Sequence, residues 1–278
     1  MSRQHESPRL TTLRIRAMKA EGRKIAMLTA YDYTLASLVD DAGVDMVLVG
    51  DSLGMVMLGY DSTIPVTLDD MVMHTRAVTR AVKRALVVAD MPFGSYQASV
   101  EQGVRSAVRL MQEGRAQAVK VEGGAPVVPL VAALTSAGIP VQGHLGLTPQ
   151  SVNQLGGYRV QGRSDDQARA IIDDAKALEA AGAFSIVAEC MPSDVGAALT
   201  RSVTIPVIGI GAGVDCDGQV LVLHDMLGLY RHRTPRFVKR FGDLGAEATR
   251  AIEAYVSEVR NGVFPGLEHS YAPTAKEG

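Results

Sequence analysis

Ionisable residues end five short apolar runs of the chain, in the segments VLVGDS, VVADMPF, VKVEGG, QGHLG and IVAEC; these residues are Asp51, Asp90, Lys120, Glu122, His144 and Glu189. Neighbouring strands of a sheet lie about 4.8 Å apart. Three carboxylates that end three successive strands, those of Asp51, Asp90 and Glu122, therefore come within reach of one ion. Oxygen ligands without histidine or cysteine favour Mg²⁺ over zinc. The spacing predicts a magnesium site.

Lys120 and Glu122 stand two residues apart on one predicted strand, so both side chains point to the same side of it. A buried cation and carboxylate are costly unless they are paired or used. A plain structural ion pair is one explanation of the two residues. A role in binding or catalysis is the other.

The remaining strand-end residues also have ordinary structural explanations. An aspartate after a strand often caps the next helix, which applies to Asp51 and Asp90. A lone histidine such as His144 commonly donates to a backbone carbonyl, and Glu189 could pair with an arginine. Cys190 could act as a nucleophile, but a small buried hydrophobic residue is the commoner role. Six such residues on one rim favour a functional site.

The apolar runs are nearly continuous instead of alternating, as expected for parallel strands covered on both faces. An eighth run, Gln219–Leu223, could also begin a helix. The other seven are Lys24–Ala30, Asp45–Asp51, Leu86–Phe93, Ala116–Gly123, Pro140–Gly146, Phe184–Cys190 and Pro206–Gly213.

The segments between these runs have helical spacing. Ser164 followed by Gln167 is a capping-box pattern, and an apolar stripe then continues to Gly182. Glycine suits the position after a helix because the chain takes up a positive φ there. Four helices are predicted to end in this way, at Gly43, Gly114, Gly138 and Gly182.

Seven or eight strand–helix units predict either a closed (β/α)8 TIM barrel or an open doubly wound sheet. We favour the α/β barrel, because polar residues end many different strands and only a barrel directs all strand ends to one centre. The segment 11–21 is predicted to be an extra N-terminal helix at the bottom of the barrel, and 247–261 the last outer helix. We expect one domain over 1–278, with disordered tails at about 1–10 and 270–278.

Composition excludes several classes of protein. The 28 Lys and Arg against 30 Asp and Glu residues give a net charge of −2, which argues against nucleic-acid binding. Cys190 and Cys216 form no metal or disulfide pattern. No apolar run approaches the 18 residues of a membrane span, and residues 1–10 lack a signal-peptide core. We expect a cytoplasmic protein without nucleic-acid or membrane partners.

Long motifs run in order over about residues 24 to 264: LTAYDY, VLVGDSLGMV, ADMPFGSY, VKVEGG, GHLGLTPQSVNQLGGYRVQGR, ECMP, IPVIGIGAG and CDGQVLVLHD. Within them, GHLGLTPQSVN and VQGR are unusual strings. These motifs resemble those of the ketopantoate hydroxymethyltransferase family. Met191 and the pair Val214–Asp215 depart from the family pattern, and the second departure leaves the shape of that loop open.

The resemblance implies a TIM barrel enzyme of pantothenate biosynthesis. Such an enzyme transfers a hydroxymethyl group from 5,10-methylenetetrahydrofolate to 3-methyl-2-oxobutanoate with the help of Mg²⁺, and the family's large homo-oligomers imply a decamer. Asp51 and Asp90 would bind the metal and, through it, the substrate. Glu122 would join them directly or through water. The general base would be Glu189, and the keto acid would be contacted by Ser52, Lys120 and His144.

Two alternatives remain at this stage. One is a Mg²⁺-dependent lyase or mutase of a related barrel, acting on 2-oxo acids or phosphonates without folate. The other is a catalytically silent barrel that serves as a scaffold, which would lack carboxylates at the strand ends. The sequence also leaves the basicity of Glu189 open, because an apolar pocket would raise its pKa and Lys120 would lower it.

Overall fold

Eight parallel strands follow one another in chain order and close into a barrel in the computed structural model, which describes residues 8–230 and 234–272. The predicted α/β barrel is confirmed, and the doubtful eighth run is a strand. The strands are β1 Ile25–Thr29, β2 Met46–Val49, β3 Leu86–Asp90, β4 Ala118–Glu122, β5 Val141–Gly146, β6 Ser185–Glu189, β7 Val207–Ile210 and β8 Gly218–Leu221.

Helices occupy most of the connections. Those with eight residues or more are α1 Thr12–Ala20, α2 Tyr33–Asp41, α4 Leu68–Ala81, α5 Val100–Gln112, α6 Val128–Ser136, α8 Asp165–Ala180, α9 Ser193–Ser202 and α11 Leu244–Arg260. Short helices are α3 Leu53–Val56, α7 Val152–Leu155 and α10 Leu223–Met226. Four strands of the barrel, β2, β3, β4 and β7, are buried along their whole length, which agrees with their nearly continuous apolar sequence.

Two helix-end predictions need correction. Ser164 caps α8 by accepting from the Gln167 N–H, but the Gln167 side chain accepts from Arg163 N–H, so the capping box is incomplete. Gly114 does not have a positive φ; the next residue, Arg115, takes φ 63° instead. Glycine is needed at 114 for space, because a Cβ there would lie 2.5 Å from the Leu110 carbonyl oxygen.

The predicted N-terminal helix is confirmed as α1, and its Lys19 places it at the bottom of the barrel. The Lys19 ammonium donates to the carbonyls of Thr200 and Ile205 and lies 2.9 Å from the Asp217 carboxylate. Ile205 and Asp217 stand just before β7 and β8 begin, and Thr200 lies near the end of α9. Helix α1 therefore lies at the end of the barrel opposite to the carboxyl ends of the strands.

The connection from β7 to β8 departs from the repeating unit. Residues 211–217 are all described and none of them is helical. Parallel strands are usually joined by a dozen residues or more. Here the Asp217 carboxylate accepts from the Val207 N–H at 2.9 Å, and the Lys24 ammonium donates to the Cys216 carbonyl. These two bonds hold the short connection against the strands.

The chain forms two compact units, with a boundary between Leu223 and His224 that sequence patterning does not reveal. In the second unit, the predicted helix 247–261 is confirmed as α11, and the rings of Tyr255 and Phe264 pack edge to face at 5.6 Å. Its place as an outer barrel helix and the single-domain assignment stay predictions. The predicted tails, 1–10 and 270–278, fall mostly outside the described residues.

Candidate active site

Strand register brings the predicted site residues together at the carboxyl ends of the strands. Asp90 on β3 pairs with Lys120 on β4, and Glu122 pairs with His144 on β5. Glu189 ends the next strand, β6. The first four side chains are 3% exposed, whereas that of Glu189 is 15% exposed. Glu189 is thus the most accessible acid of this group.

Lys120 lies among carboxylates. Its Nζ is 2.5 Å from Asp90 Oδ1 and 3.5 Å from Glu122 Oε1. Burial disfavours the charged ammonium, but the charges of Asp90, Glu122 and Asp51 outweigh burial and raise the pKa of Lys120 above its ordinary value. The side chain is therefore a cation, and the ion pair expected from its spacing with Glu122 forms.

His144 bridges two carboxylates through its two ring nitrogens. Nδ1 lies 3.0 Å from Glu122 Oε1, and Nε2 lies 3.0 Å from Glu189 Oε2. Burial and the charge of Lys120 oppose protonation, but the contacts with Glu122 and Glu189 prevail and raise the pKa of His144 to about 9. A protonated ring carries an N–H on the side of each of these acids, and Nδ1 also lies 3.1 Å from Lys120 Nζ. The ring does not donate to a backbone carbonyl, and the described partner of Glu189 is this histidine instead of an arginine.

Asp51 is buried beside other acids. Its Oδ2 accepts from the Gln150 side chain at 2.9 Å, and its backbone N–H donates to Asp90 Oδ2 at 3.1 Å. Burial first, and then the negative charges of Asp90 and Glu122, raise the pKa of Asp51 well above its usual range. Neither aspartate caps a helix, since α3 begins after Ser52 without a side-chain cap.

The charge balance of this group fits a divalent cation. Four carboxylates face the cations of Lys120 and His144, which leaves an excess of two negative charges when all the acids are ionised. Over residues 8–230 and 234–272, no three Asp, Glu, His or Cys side chains are already arranged around a metal position. In Glu122, Oε1 contacts His144 and Oε2 accepts from the Gln150 N–H. In Asp90, Oδ1 contacts Lys120 Nζ and Oδ2 accepts from the Asp51 N–H, so both carboxylates would exchange a present contact for an ion. By its charge the donor set fits a cation held by Asp51 and Asp90, and direct ligation by Glu122 stays a prediction.

Glycines allow the strand ends to approach each other. A Cβ on Gly50 would lie 2.8 Å from Ser52 Oγ and 3.4 Å from Asp90 Oδ2. Gly146, with φ 91°, would place a Cβ 2.2 Å from the Glu189 carbonyl oxygen. Any side chain at either position would therefore displace groups of the site.

Three residues of the site, Tyr31, Tyr96 and Gln150, are not predicted from the sequence because they carry no charge and do not end strands. The Tyr31 hydroxyl lies 2.8 Å from Ser52 Oγ. The Tyr96 hydroxyl donates to Gln150 Oε1 at 2.7 Å, and Gln150 contacts Asp51 as described above. All three fall inside the motifs LTAYDY, ADMPFGSY and GHLGLTPQ, which is the one signal that pointed to them.

Cys190 is half-buried and adopts a left-handed conformation with φ 51°. Burial and the neighbouring Glu189 raise the pKa of its thiol. The thiolate is the nucleophilic form of cysteine. These conditions disfavour it, so the nucleophile interpretation of Cys190 is not supported.

A closed barrel of eight parallel strands, with buried charges gathered at the carboxyl ends, defines the class of (β/α)8-barrel enzymes. The model of the family "Ketopantoate hydroxymethyltransferase" matches residues 9–267. The chain belongs to this family. Among the described residues, no helix is long and apolar enough to cross a membrane.

Curated relatives agree with this assignment over almost their whole length. The chain is 56% identical over 271 residues to the 3-methyl-2-oxobutanoate hydroxymethyltransferase of Syntrophus aciditrophicus (strain SB), covering 98% of this chain and 100% of the relative. It is 57% identical over 263 residues to the enzyme of that name from Moorella thermoacetica (strain ATCC 39073 / JCM 9320), covering 95% and 98%. The relatives are enzymes, which removes the silent-scaffold alternative.

Solved structures share the fold at low sequence identity. A structure of phosphonopyruvate hydrolase with oxalate and Mg²⁺ superposes with a TM-score of 0.61 at 15% identity, covering 96% of this chain and 93% of the other. A 2,3-dimethylmalate lyase superposes with a TM-score of 0.57 at 16% identity, covering 96% and 90%. At these identities the similarity supports the barrel alone.

Proposed function

We propose that this chain transfers a hydroxymethyl group from 5,10-methylenetetrahydrofolate to 3-methyl-2-oxobutanoate, yielding ketopantoate for pantothenate biosynthesis. The family match supports the reaction, since the relatives carry the name of this enzyme. The observation in the structure that carries the proposal is the position of Glu189. This accessible acid is held by His144 at the edge of a buried group with an excess of negative charge.

The reaction first requires removal of a proton from C3 of the keto acid. Glu189 is the base that we assign to this step, because it is the most exposed carboxylate of the group. Its Oε2 lies 3.0 Å from His144 Nε2, and this contact orients the carboxylate. Because Glu189 is not among the proposed metal ligands, its basicity is not reduced by direct ligation.

The residues proposed to hold Mg²⁺ are Asp51 and Asp90, with Glu122 beside them. When bound, the ion supplies electrostatic stabilisation of the negative charge that develops on the keto oxygen. Lys120 and His144 hold Asp90 and Glu122 in place through the contacts given above. Substrate contacts are proposed for Ser52, Lys120 and His144.

Product analysis tests this function against its alternative. The protein is supplied with Mg²⁺ and 3-methyl-2-oxobutanoate, with or without 5,10-methylenetetrahydrofolate, and products are followed by NMR. We expect ketopantoate only when the folate is present. Net conversion of the keto acid alone would favour the folate-independent lyase or mutase.

The cellular and oligomeric assignments are also proposals. We propose a cytoplasmic homo-oligomer, a decamer as the family resemblance implies. Several apolar side chains of α11 support self-association, because Ile252, Tyr255 and Val259 are 62%, 56% and 45% exposed. Light scattering after gel filtration is expected to give ten times the chain mass of 29.5 kDa. A monomeric mass would contradict the assembly.

A further inference from the structure

Gln150 is the uncharged residue with the most contacts to the acids of the site. It lies on the turn Pro149–Ser151 that follows β5, and it is 4% exposed. Its backbone N–H donates to Glu122 Oε2 at 3.1 Å, and its side-chain amide donates to Asp51 Oδ2 at 2.9 Å. Gln150, in the loop after β5, thus connects Asp51, which follows β2, with Glu122, which ends β4.

The orientation of the Gln150 amide follows from its partners. Nε2 has two acceptors, Asp51 Oδ2 and the Met91 carbonyl, each at 2.9 Å. Oε1 has two donors, the Tyr96 hydroxyl at 2.7 Å and Gln97 Nε2 at 3.3 Å. Rotating the amide by 180° would place its oxygen against a carboxylate and a carbonyl, and its N–H groups against donors. Only the observed orientation satisfies all the groups.

Tyr96 holds the far side of this amide. Its hydroxyl is nearer to Gln150 Oε1 than to the Glu122 carbonyl, at 2.7 Å against 3.3 Å. Burial and the surrounding negative charges raise the pKa of Tyr96, so the hydroxyl keeps its proton. A permanent donor on Oε1 directs the N–H groups of Gln150 towards Asp51.

An amide at this position supplies a donor without adding charge. Lysine or arginine would also donate to Asp51, but either cation would cancel part of the negative excess that fits a divalent ion. A glutamate would place another carboxylate against Asp51 Oδ2, where the Gln150 amide now donates. Glutamine holds the carboxylate and preserves the charge of the site.

We infer that Gln150, supported by Tyr96, is a positioning residue that fixes the Asp51 carboxylate in the orientation needed to bind a divalent cation. The inference rests on the proposed function, since that function requires the cation. The role is one of positioning, because Gln150 would act through the Asp51 carboxylate that it contacts. Partners of metal-binding side chains typically contribute about 10- to 100-fold to metal affinity.

Calorimetric titration of chelator-treated protein with MgCl₂ tests the inference. Gln150→Met keeps most of the side-chain volume but removes the donors, and Gln150→Ala removes the side chain. Both variants are expected to raise the Kd for Mg²⁺ by about 10- to 100-fold. Tyr96→Phe leaves the amide in place without its support and is expected to raise the Kd by less than about tenfold.

The control is Gln161→Ala, which removes a half-buried side-chain amide that donates to the Arg159 carbonyl and contacts none of the site acids in the described hydrogen bonds. Its Kd is expected to equal that of the unchanged protein. Thermal melting of the metal-free proteins shows whether the Gln150 variants fold. Excess Mg²⁺ is expected to restore their ability to exchange the C3 hydrogen of 3-methyl-2-oxobutanoate with D₂O.

The outcomes separate the two proposals. Tight Mg²⁺ binding by the unchanged protein and equally tight binding by Gln150→Met would overturn the positioning role while leaving the proposed function intact. Absence of Mg²⁺ binding by the unchanged protein would overturn both. A lower melting temperature with an unchanged Kd would show that Gln150 is merely structural.

Discussion

Buried carboxylates occur at both ends of the barrel, but their partners differ. At the bottom, the Asp40 carboxylate accepts from three backbone N–H groups, those of Lys83, Arg84 and Ala85. Asp45 contacts the guanidinium groups of Arg23 and Arg84 and accepts from the Ala26 N–H. Each of these acids has enough donors within the protein.

At the opposite end, four carboxylates share two cations, and Asp51 has a raised pKa because burial and like charges act against its ionisation. A structural carboxylate is neutralised by its neighbours, whereas this group has more acids than its two cations can neutralise when all the acids are ionised. The difference indicates where the molecule binds something positive. The following variants, from the largest expected effect to the smallest, test whether the two ends differ in this way.

Glu189→Gln is expected to have the largest effect. The change removes the proposed base but keeps the size of the side chain, and general-base catalysis contributes about 10²- to 10⁴-fold to a rate. Turnover and exchange of the C3 hydrogen in D₂O should both fall by such a factor. Mg²⁺ affinity should stay unchanged. Normal exchange in the variant would assign the proton transfer to another residue.

The stability of the metal-free protein should fall at alkaline pH because His144 loses its proton. His144 has a pKa of about 9 in the folded protein, above its value of 6.5 when unperturbed. Its contribution to stability is complete below pH 6.5 and is lost as the pH rises through 9, by on the order of a few kcal/mol.

Urea denaturation of metal-free protein between pH 6 and 10 measures this loss. His144→Asn is expected to flatten the curve over that range, because the titrating ring is gone. An unchanged slope in the variant would mean that His144 is not the group that titrates.

Asp40→Asn should lower stability without affecting the site. The amide cannot accept from all three backbone N–H groups in place of the carboxylate, and the loss of hydrogen bonds to a buried charge costs about 1.5–3 kcal/mol. Urea denaturation gives the change, and Mg²⁺ titration serves as the control. Weaker Mg²⁺ binding in this variant would contradict the separation of the two ends.

Asp51→Asn should have the smallest effect on stability and the opposite sign. Removing a charge that burial and neighbouring acids disfavour is expected to stabilise the metal-free protein slightly. The same variant should bind Mg²⁺ more weakly. Loss of stability similar to that of Asp40→Asn would show that Asp51 is compensated within the protein.

Much of this arrangement could be predicted from sequence because it depends on local patterns. Continuous apolar runs predict buried parallel strands, and the residues that end them meet by topology, as Glu122 and His144 do. Gln150 and Tyr96 could not be predicted in this way, since loops from different strands bring them together. Nor could the need for glycine at 114 be predicted, because it comes from the close approach of Thr75 and Leu110, while the positive φ falls on Arg115. Such packing leaves no periodic signal.

The most direct test is the exchange of the C3 hydrogen of 3-methyl-2-oxobutanoate with solvent, followed by NMR in D₂O without folate. It shows whether the acids around Asp51 and Asp90 hold a metal ion that takes part in proton removal. Chelator-treated protein is expected to exchange this hydrogen no faster than buffer, and added Mg²⁺ should restore rapid exchange. Equal exchange with and without the chelator would contradict the account.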